Sequence, residues 1–226
     1  MNQYFHSVIG YVFIAIFMLI SGYYFSIQNL LAGSSDIRYF FSNMVSVLVF
    51  LIPMLTMRLF AEEKKTRTEQ LLLTLPISLG SIVISKYLAA MAVFSAGMLL
   101  TTVFPVTLSF FGEVDLWVTV GNYFGLTIMV GSFVAIGLFI SSLTENQVIA
   151  AVVSYCVLFG LWLIGWVSSF VQNKVVIWVV NWLSILQRYN EFTLGIFNPA
   201  SVVYYFSIIF TFLFLTVQVL EQKRRN

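Results

Sequence analysis

The feature that most constrains the fold is a succession of apolar runs, each about as long as a helix needs to cross a lipid bilayer. Six such runs cover roughly residues 8–28, 40–58, 82–111, 117–141, 147–170 and 200–220. Because a helix rises about 1.5 Å per residue, about 20 apolar residues span a hydrocarbon core roughly 30 Å thick. The sequence therefore predicts an all-α, polytopic membrane protein with six transmembrane helices, built as a single transmembrane domain over residues 1–226.

The composition of the chain argues against a soluble domain, a nucleic-acid-binding protein and a metalloprotein. Hydrophobic residues make up 60% of the 226 residues and charged residues only 9%, whereas a soluble domain carries about 25% charged residues. The net charge of +2 is spread along the chain, so we expect no nucleic-acid partner, which would require a basic stripe on a polar domain. Cys156 and His6 are the only residues of their types. We therefore predict no internal disulfide and no metal site.

The distribution of lysine and arginine predicts the orientation in the membrane. Positive residues near the membrane are enriched in cytoplasmic loops. If the joint between the second and third spans and the C-terminal tail are cytoplasmic, eight of the 11 basic residues lie inside. The sequence therefore predicts both termini in the cytoplasm. The inside set is Arg58, Lys64, Lys65, Arg67, Lys86, Lys223, Arg224 and Arg225, and the outside set is Arg38, Lys174 and Arg188.

The densest polar stretch follows the second span and, with the apolar residues after it, covers residues 61–78, here named the coupling segment. Glu63 and Arg67 are spaced four apart, as are Lys65 and Glu69, so each pair would meet on a helix. We predict a short surface helix with its polar side toward a cytosolic protein and its leucines in the membrane interface. The alternative is a solvated charged loop that only obeys the positive-inside rule.

The joint before the sixth span, residues 172–199, is long for a connection in a helical bundle. Its apolar run at 175–182 is too short to cross, so the sequence predicts an interfacial or re-entrant outer segment. Lys174, Arg188 and Glu191 could contact an exported group or an extracytoplasmic protein, or could simply be solvated. The third span is overlong and contains Pro105, so we expect it to tilt, kink or protrude.

The spans carry no ionisable residue near their middle, where ion-coupled pumps keep such groups. No phosphate loop of the type G-x-x-x-x-G-K-[ST] occurs. An intramembrane enzyme is disfavoured because the spans hold no paired acid and base. We therefore predict that the chain has no catalytic residue and that its energy comes from another polypeptide.

Several segments carry a family resemblance. They are Ile9-Gly10-Tyr11, Arg58 to Lys65, Thr68 to Ser78, Lys86-Tyr87-Leu88, Ser141 to Gln147 and Val202 to Tyr205. In order and topology the chain resembles the ABC-2 type permeases, the membrane subunits of many bacterial ABC exporters. It is most similar to the branch that includes the gliding-machinery and nitrous-oxide-reductase-maturation permeases.

The resemblance implies a subunit of the bacterial cytoplasmic membrane that pairs with a second permease, a copy or a paralogue, and with cytosolic ABC ATPases that hold ATP and magnesium. It implies that the coupling segment docks on the ATPase and that the joint at Thr144, Glu145 and Asn146 is a second contact. The docking residues would be Glu62, Glu63, Lys64, Lys65, Arg67, Thr68 and Glu69.

Two functions follow from this resemblance. In the first, the permease exports an amphipathic or lipid-like substrate; in the second, it transmits force to an extracytoplasmic protein without moving a substrate.

Small residues recur on the fourth span, as Gly121-x-x-x-Gly125 and Gly131-x-x-x-Ala135. Such spacing lets two helices approach closely. It predicts either a subunit interface or ordinary packing within one bundle, and the second is the commoner arrangement.

Overall fold

The computed structural model describes residues 8–65, 78–167 and 184–225. Within these ranges the regular structure is helical. The helices are α1 (Val8–Phe25, continued by the π-helical turn Ser26–Leu31), α2 (Arg38–Thr56), α3 (Ala61–Lys65), α4 (Leu79–Thr101), α5 (Val103–Leu108), α6 (Leu116–Leu143), α7 (Gln147–Val167), α8 (Ile185–Thr193) and α9 (Pro199–Arg225).

In the part of the chain that the structure describes, six helical segments are long and apolar enough to cross a membrane, as the sequence predicted. They are α1, α2, α4 with α5, α6, α7 and α9, and their positions agree with the six apolar runs. The chain is therefore an all-α, multi-pass membrane protein. The prediction of a short helix after the second span also holds for its described part, α3.

The third span is interrupted near its end, close to Pro105, where the sequence predicted a tilt, a kink or a protrusion. Helix α4 ends at Thr101 and α5 begins at Val103. Pro105 has no backbone N–H, so it cannot donate to the carbonyl four residues earlier, and its ring crowds that carbonyl. The hydroxyl groups of Thr101 and Thr102 donate to the carbonyls of Met98 and Leu99, at 2.7 and 2.6 Å.

Helix α6 is the centre of the bundle. In its most apolar stretch 83% of the residues are buried, compared with 17% in α9 and 22% in α7. It packs against α2, α3, α4, α7, α8 and α9. Asp115 caps its first turn by accepting from the backbone N–H groups of Trp117 and Val118. A movement of α6 must therefore displace side chains on most of its neighbours.

The glycines of α6 allow close packing of residues from other helices of the same chain. A methyl group at Gly125 would lie 2.6 Å from Cβ of Phe192 on α8, and one at Gly131 would lie 2.7 Å from the hydroxyl oxygen of Tyr87 on α4. Gly121 lies against the backbone oxygen of Phe192 in the same way. The small-residue faces predicted from the sequence thus serve packing within the bundle, the second of the two alternatives.

Candidate functional site

The charged residues of α3 lie at one end of the bundle, here called the basic end. The lysines and arginines whose side chains the structure describes there are Arg58, Lys64, Lys65, Lys86, Lys223 and Arg224. They belong to the connection after α2, the first turns of α4 and the end of α9. The basic end therefore brings together residues far apart in the sequence.

The turn between α2 and α3 is held by a serine from α6. The backbone N–H groups of Phe60 and Ala61 donate to the hydroxyl oxygen of Ser141, at 3.1 and 3.2 Å. The same hydroxyl donates to the carbonyl of Met57, also at 3.1 Å. These N–H groups begin a helix and have no partner inside it. Ser141, which is fully buried, satisfies them from another helix and fixes α3 on the end of α6.

Lys64 is the inward-facing charge of α3. Only 5% of its surface is exposed, and its ammonium donates to the backbone carbonyl of Ser142. Lys223 of α9 donates to the same oxygen at 3.3 Å. Carbonyls in the last turn of a helix have no partner within it, and they carry the negative end of the helix dipole. The end of α6 therefore attracts a cation from α3 and a second one from α9.

Lys86 ties the same turn to α4. Its ammonium donates to the carbonyl of Leu59 at 2.6 Å and pairs with Oε1 of Glu63 at 2.5 Å. It also lies 4.7 Å from the ring centroid of Phe60. Lys86 is only 8% exposed. The sequence placed this lysine at one end of the third span, and the structure agrees, placing it near the start of α4. Because the side chain is buried there, its charge requires close partners.

The two remaining charges of α3 face outward. Glu62 and Lys65 are exposed at the surface of the basic end. Beside them the turn at Thr144, Glu145 and Asn146 presents an exposed Glu145, and Asn146 Oδ1 accepts from the first N–H groups of α7. Helix α3 packs on α6 and α7, so the two predicted contact regions lie side by side. Arg67, Thr68 and Glu69 lie outside the described residues.

The sequence did not indicate which residues anchor α3. Ser141, Ser142 and Lys86 carry the family resemblance, yet nothing in their spacing relates them to α3. Lys64 stands among four consecutive charged residues, and no pattern marks it as the one that turns inward. Helix α3 therefore packs against the bundle on one side and is exposed on the other.

At the opposite end, α8 is bound to α9 and α6. Oε2 of Glu191 accepts from the hydroxyl of Ser201 at 2.5 Å, and the guanidinium carbon of Arg188 lies 4.3 Å from the ring centroid of Tyr204. The phenol of Tyr189 donates to Oδ1 of Asn122 at 3.2 Å. Burial raises the pKa of Tyr189 well above its ordinary value, so the phenol stays protonated and donates this bond. Arg188 and Glu191 therefore hold α8 in place, and Lys174 lies outside the described residues.

Among the described residues no group of three or more histidine, cysteine or acidic residues is arranged to hold a metal ion. What the basic end offers is a mechanical linkage, because α3 contacts α4 and α6 through hydrogen bonds while presenting exposed charges outward.

Comparison with known proteins agrees with this architecture. The sequence model of a family described as ABC-2 family transporter protein matches residues 2–221. No curated protein matches the sequence. The family match covers the first five spanning segments, most of the sixth, and both joints of the basic end.

Proposed function

Since this chain belongs to the ABC-2 family of transporter proteins, we propose that its basic end receives the movements of a separate ATPase and that the bundle uses them to export an amphipathic, lipid-like substrate. Family membership makes the chain a permease subunit of an ABC transporter, which works with ABC ATPase subunits. As a multi-pass protein it resides, in bacteria, in the cytoplasmic membrane. The basic end is then its cytoplasmic end.

The observation that carries this proposal is the two-sided character of α3. Glu62 and Lys65 are exposed, whereas Ala61 is fully buried and Lys64 almost so. A solvated loop would have neither a fixed position nor an inward-facing lysine. A segment that is charged on its surface and anchored underneath can accept a push from a docked protein and pass it to the helices beneath it.

The energy source in this proposal is the partner. ATP and magnesium bind the cytosolic subunits, and this chain hydrolyses nothing. Closure of the ATPases displaces α3, and the displacement reaches α6 through Ser141 and Ser142 and α4 through Lys86. Packed interfaces change between discrete arrangements rather than deforming gradually. The bundle thus alternates between two packings, and the substrate moves outward along a path shared with a second permease.

One feature favours the alternative, in which the permease transmits force to an extracytoplasmic protein. Helix α6 contacts α3 at one end and α8 at the other, where Gly121 and Gly125 receive Phe192. The 28 residues of α6 span about 42 Å at the usual helical rise. A displacement at the basic end can therefore reach α8 through one rigid element.

The deciding experiment uses the permease purified with its ATPase and reconstituted in liposomes. Glu62→Lys should abolish the permease-dependent part of ATP turnover, because it reverses a charge on the docking surface, while membrane insertion stays intact. The matched control is Glu113→Lys, an exposed acid at the opposite end, which should leave turnover unchanged. Normal turnover in Glu62→Lys would refute the docking assignment.

The same liposomes separate the two functions. Movement of a fluorescent phospholipid between leaflets, dependent on ATP, supports export. Turnover without lipid movement, together with capture of an extracytoplasmic protein through α8, supports force transmission.

A further inference from the structure

Glu63 and Lys86 form an ion pair between the coupling segment and the third span. Oε1 of Glu63 lies 2.5 Å from the ammonium of Lys86, and the two side chains are 25% and 10% exposed. The same ammonium donates to the carbonyl of Leu59. A single charged group therefore holds both the turn before α3 and the helix itself.

Burial makes this pair sensitive to the loss of either member. A charged group removed from water is costly unless it is paired and hydrogen-bonded. Removing one partner leaves the other charge uncompensated, which is strongly unfavourable, whereas removing both leaves no such charge. Because the ammonium is held by a carboxylate, a carbonyl and the face of Phe60, a displacement of α3 along α4 strains these contacts and pulls on Lys86.

The neighbours of Glu63 differ from it. Glu62 and Lys65 are exposed at the surface of the basic end, while Glu63 is partly covered and directed toward α4. The sequence assigned all three residues to one docking surface. The geometry separates them into residues that can touch a docked protein and one that acts beneath the surface.

We propose that Glu63 is a positioning residue and not an ATPase contact: together with Lys86 it sets the position of α3 on α4 and carries the ATPase's movement into the third span. This inference rests on the proposed function. It predicts that the pair governs the efficiency of coupling, while affinity for the ATPase depends on Glu62 and Lys65.

The test is a double-mutant cycle of Glu63→Gln, Lys86→Met and the two together, in the complete complex. Permease-dependent ATP turnover is measured in liposomes of phosphatidylethanolamine and phosphatidylglycerol. Each single variant should lose about tenfold, and the double variant should be no worse than the poorer single one, because the residues act as a unit. Affinity for the ATPase should change by less than about twofold in all three. Lys86→Arg, which keeps the charge, should retain turnover.

The controls are Glu62→Gln and Lys65→Met. In contrast to the pair variants, these two should weaken binding of the ATPase. The proposal is overturned if Glu63→Gln weakens binding as much as Glu62→Gln does, or if the effects of the two single variants multiply. Glu63→Gln is nearly isosteric, so it decides the question by itself if Lys86→Met does not fold. If no variant at Glu62 or Lys65 alters binding or turnover, the docking assignment fails instead. The ion pair can then still be tested by measuring the thermal stability of the same double-mutant cycle.

Discussion

The side chains of Lys64 and Lys223, 159 positions apart in the sequence, donate to a single acceptor, the backbone carbonyl oxygen of Ser142. The last turn of α6 is thereby joined to α3 on one side and to the end of α9 on the other. Two cations at one carbonyl repel each other, but the oxygen has two lone pairs and lies at the negative end of the helix dipole. This junction is the basis of the first prediction.

Replacing Lys64 with methionine should loosen α3 from α6. The change keeps the apolar stem and removes a charged hydrogen bond, so we expect a loss of about 1–3 kcal/mol in stability and reduced permease-dependent ATP turnover. Thermal unfolding in detergent measures the first quantity and the liposome assay the second. Lys65→Met, a change at the exposed neighbour, is the control for the melting temperature. Equal melting temperatures for the two variants would contradict the assignment of Lys64 as the inward anchor.

Replacing Ser141 with alanine should release the turn before α3. The backbone N–H groups of Phe60 and Ala61 would lose their acceptor while remaining buried, at a cost of about 1–3 kcal/mol. Ser142→Ala is a close control, because the Ser142 hydroxyl donates to the carbonyl of Phe139 in its own helix. Thermal unfolding should separate the two variants. If Ser142→Ala proves the more destabilising change, Ser141 is not the residue that holds the turn.

Replacing Gly125 with alanine should disturb the opposite end of the bundle. The added methyl group would meet Cβ of Phe192 at 2.6 Å, and a Cβ atom cannot move without its backbone, so we expect a loss of about 1–3 kcal/mol from overpacking. Gly160→Ala, where a methyl group meets nothing within 4 Å, should be neutral or slightly stabilising. Proteolysis near α8 should be faster in the Gly125 variant only. An unchanged melting temperature and an unchanged rate of proteolysis in Gly125→Ala would show that α8 does not pack against this glycine.

The predicted orientation is tested by labelling from one side of the membrane. In a Cys156→Ser background, Lys65→Cys and Glu113→Cys place single thiols at the two exposed ends of the bundle. An impermeant maleimide added to intact cells should label position 113 and should reach position 65 only after permeabilisation. The reverse result would place both termini outside the cytoplasm and move the docking surface away from any cytosolic ATPase.

Much of the fold could be predicted because the membrane leaves few choices. Backbone groups in lipid must bond within their own segment, so apolar runs of sufficient length become helices. The break in the third span followed from Pro105, and the cap at Asp115 follows from the preference for a carboxylate at a helix N-terminus. In these cases the cause and its effect lie within a few residues of each other.

The anchoring of the candidate site could not be predicted because its causes are distant in sequence. Ser141 is about 80 residues from the N–H groups that it receives, and only packing of α2 on α6 brings them together. Glu63 illustrates the same limit. Its spacing predicts a partner four residues later, Arg67, which lies outside the described residues, and no spacing marks its partner on α4, Lys86.

The acceptors in this linkage are main-chain atoms. The carbonyls of Leu59 and Ser142, which receive the lysine ammonium groups, would exist whatever side chains stood at those positions. Residues 59 and 142 can therefore change during evolution without loss of these hydrogen bonds, provided that the backbone conformation and the lysines are kept. Contacts between side chains usually leave correlated substitutions in aligned sequences, but this signal should be weak here. Related permeases could therefore form the same hydrogen bonds without sharing the residues at positions 59 and 142.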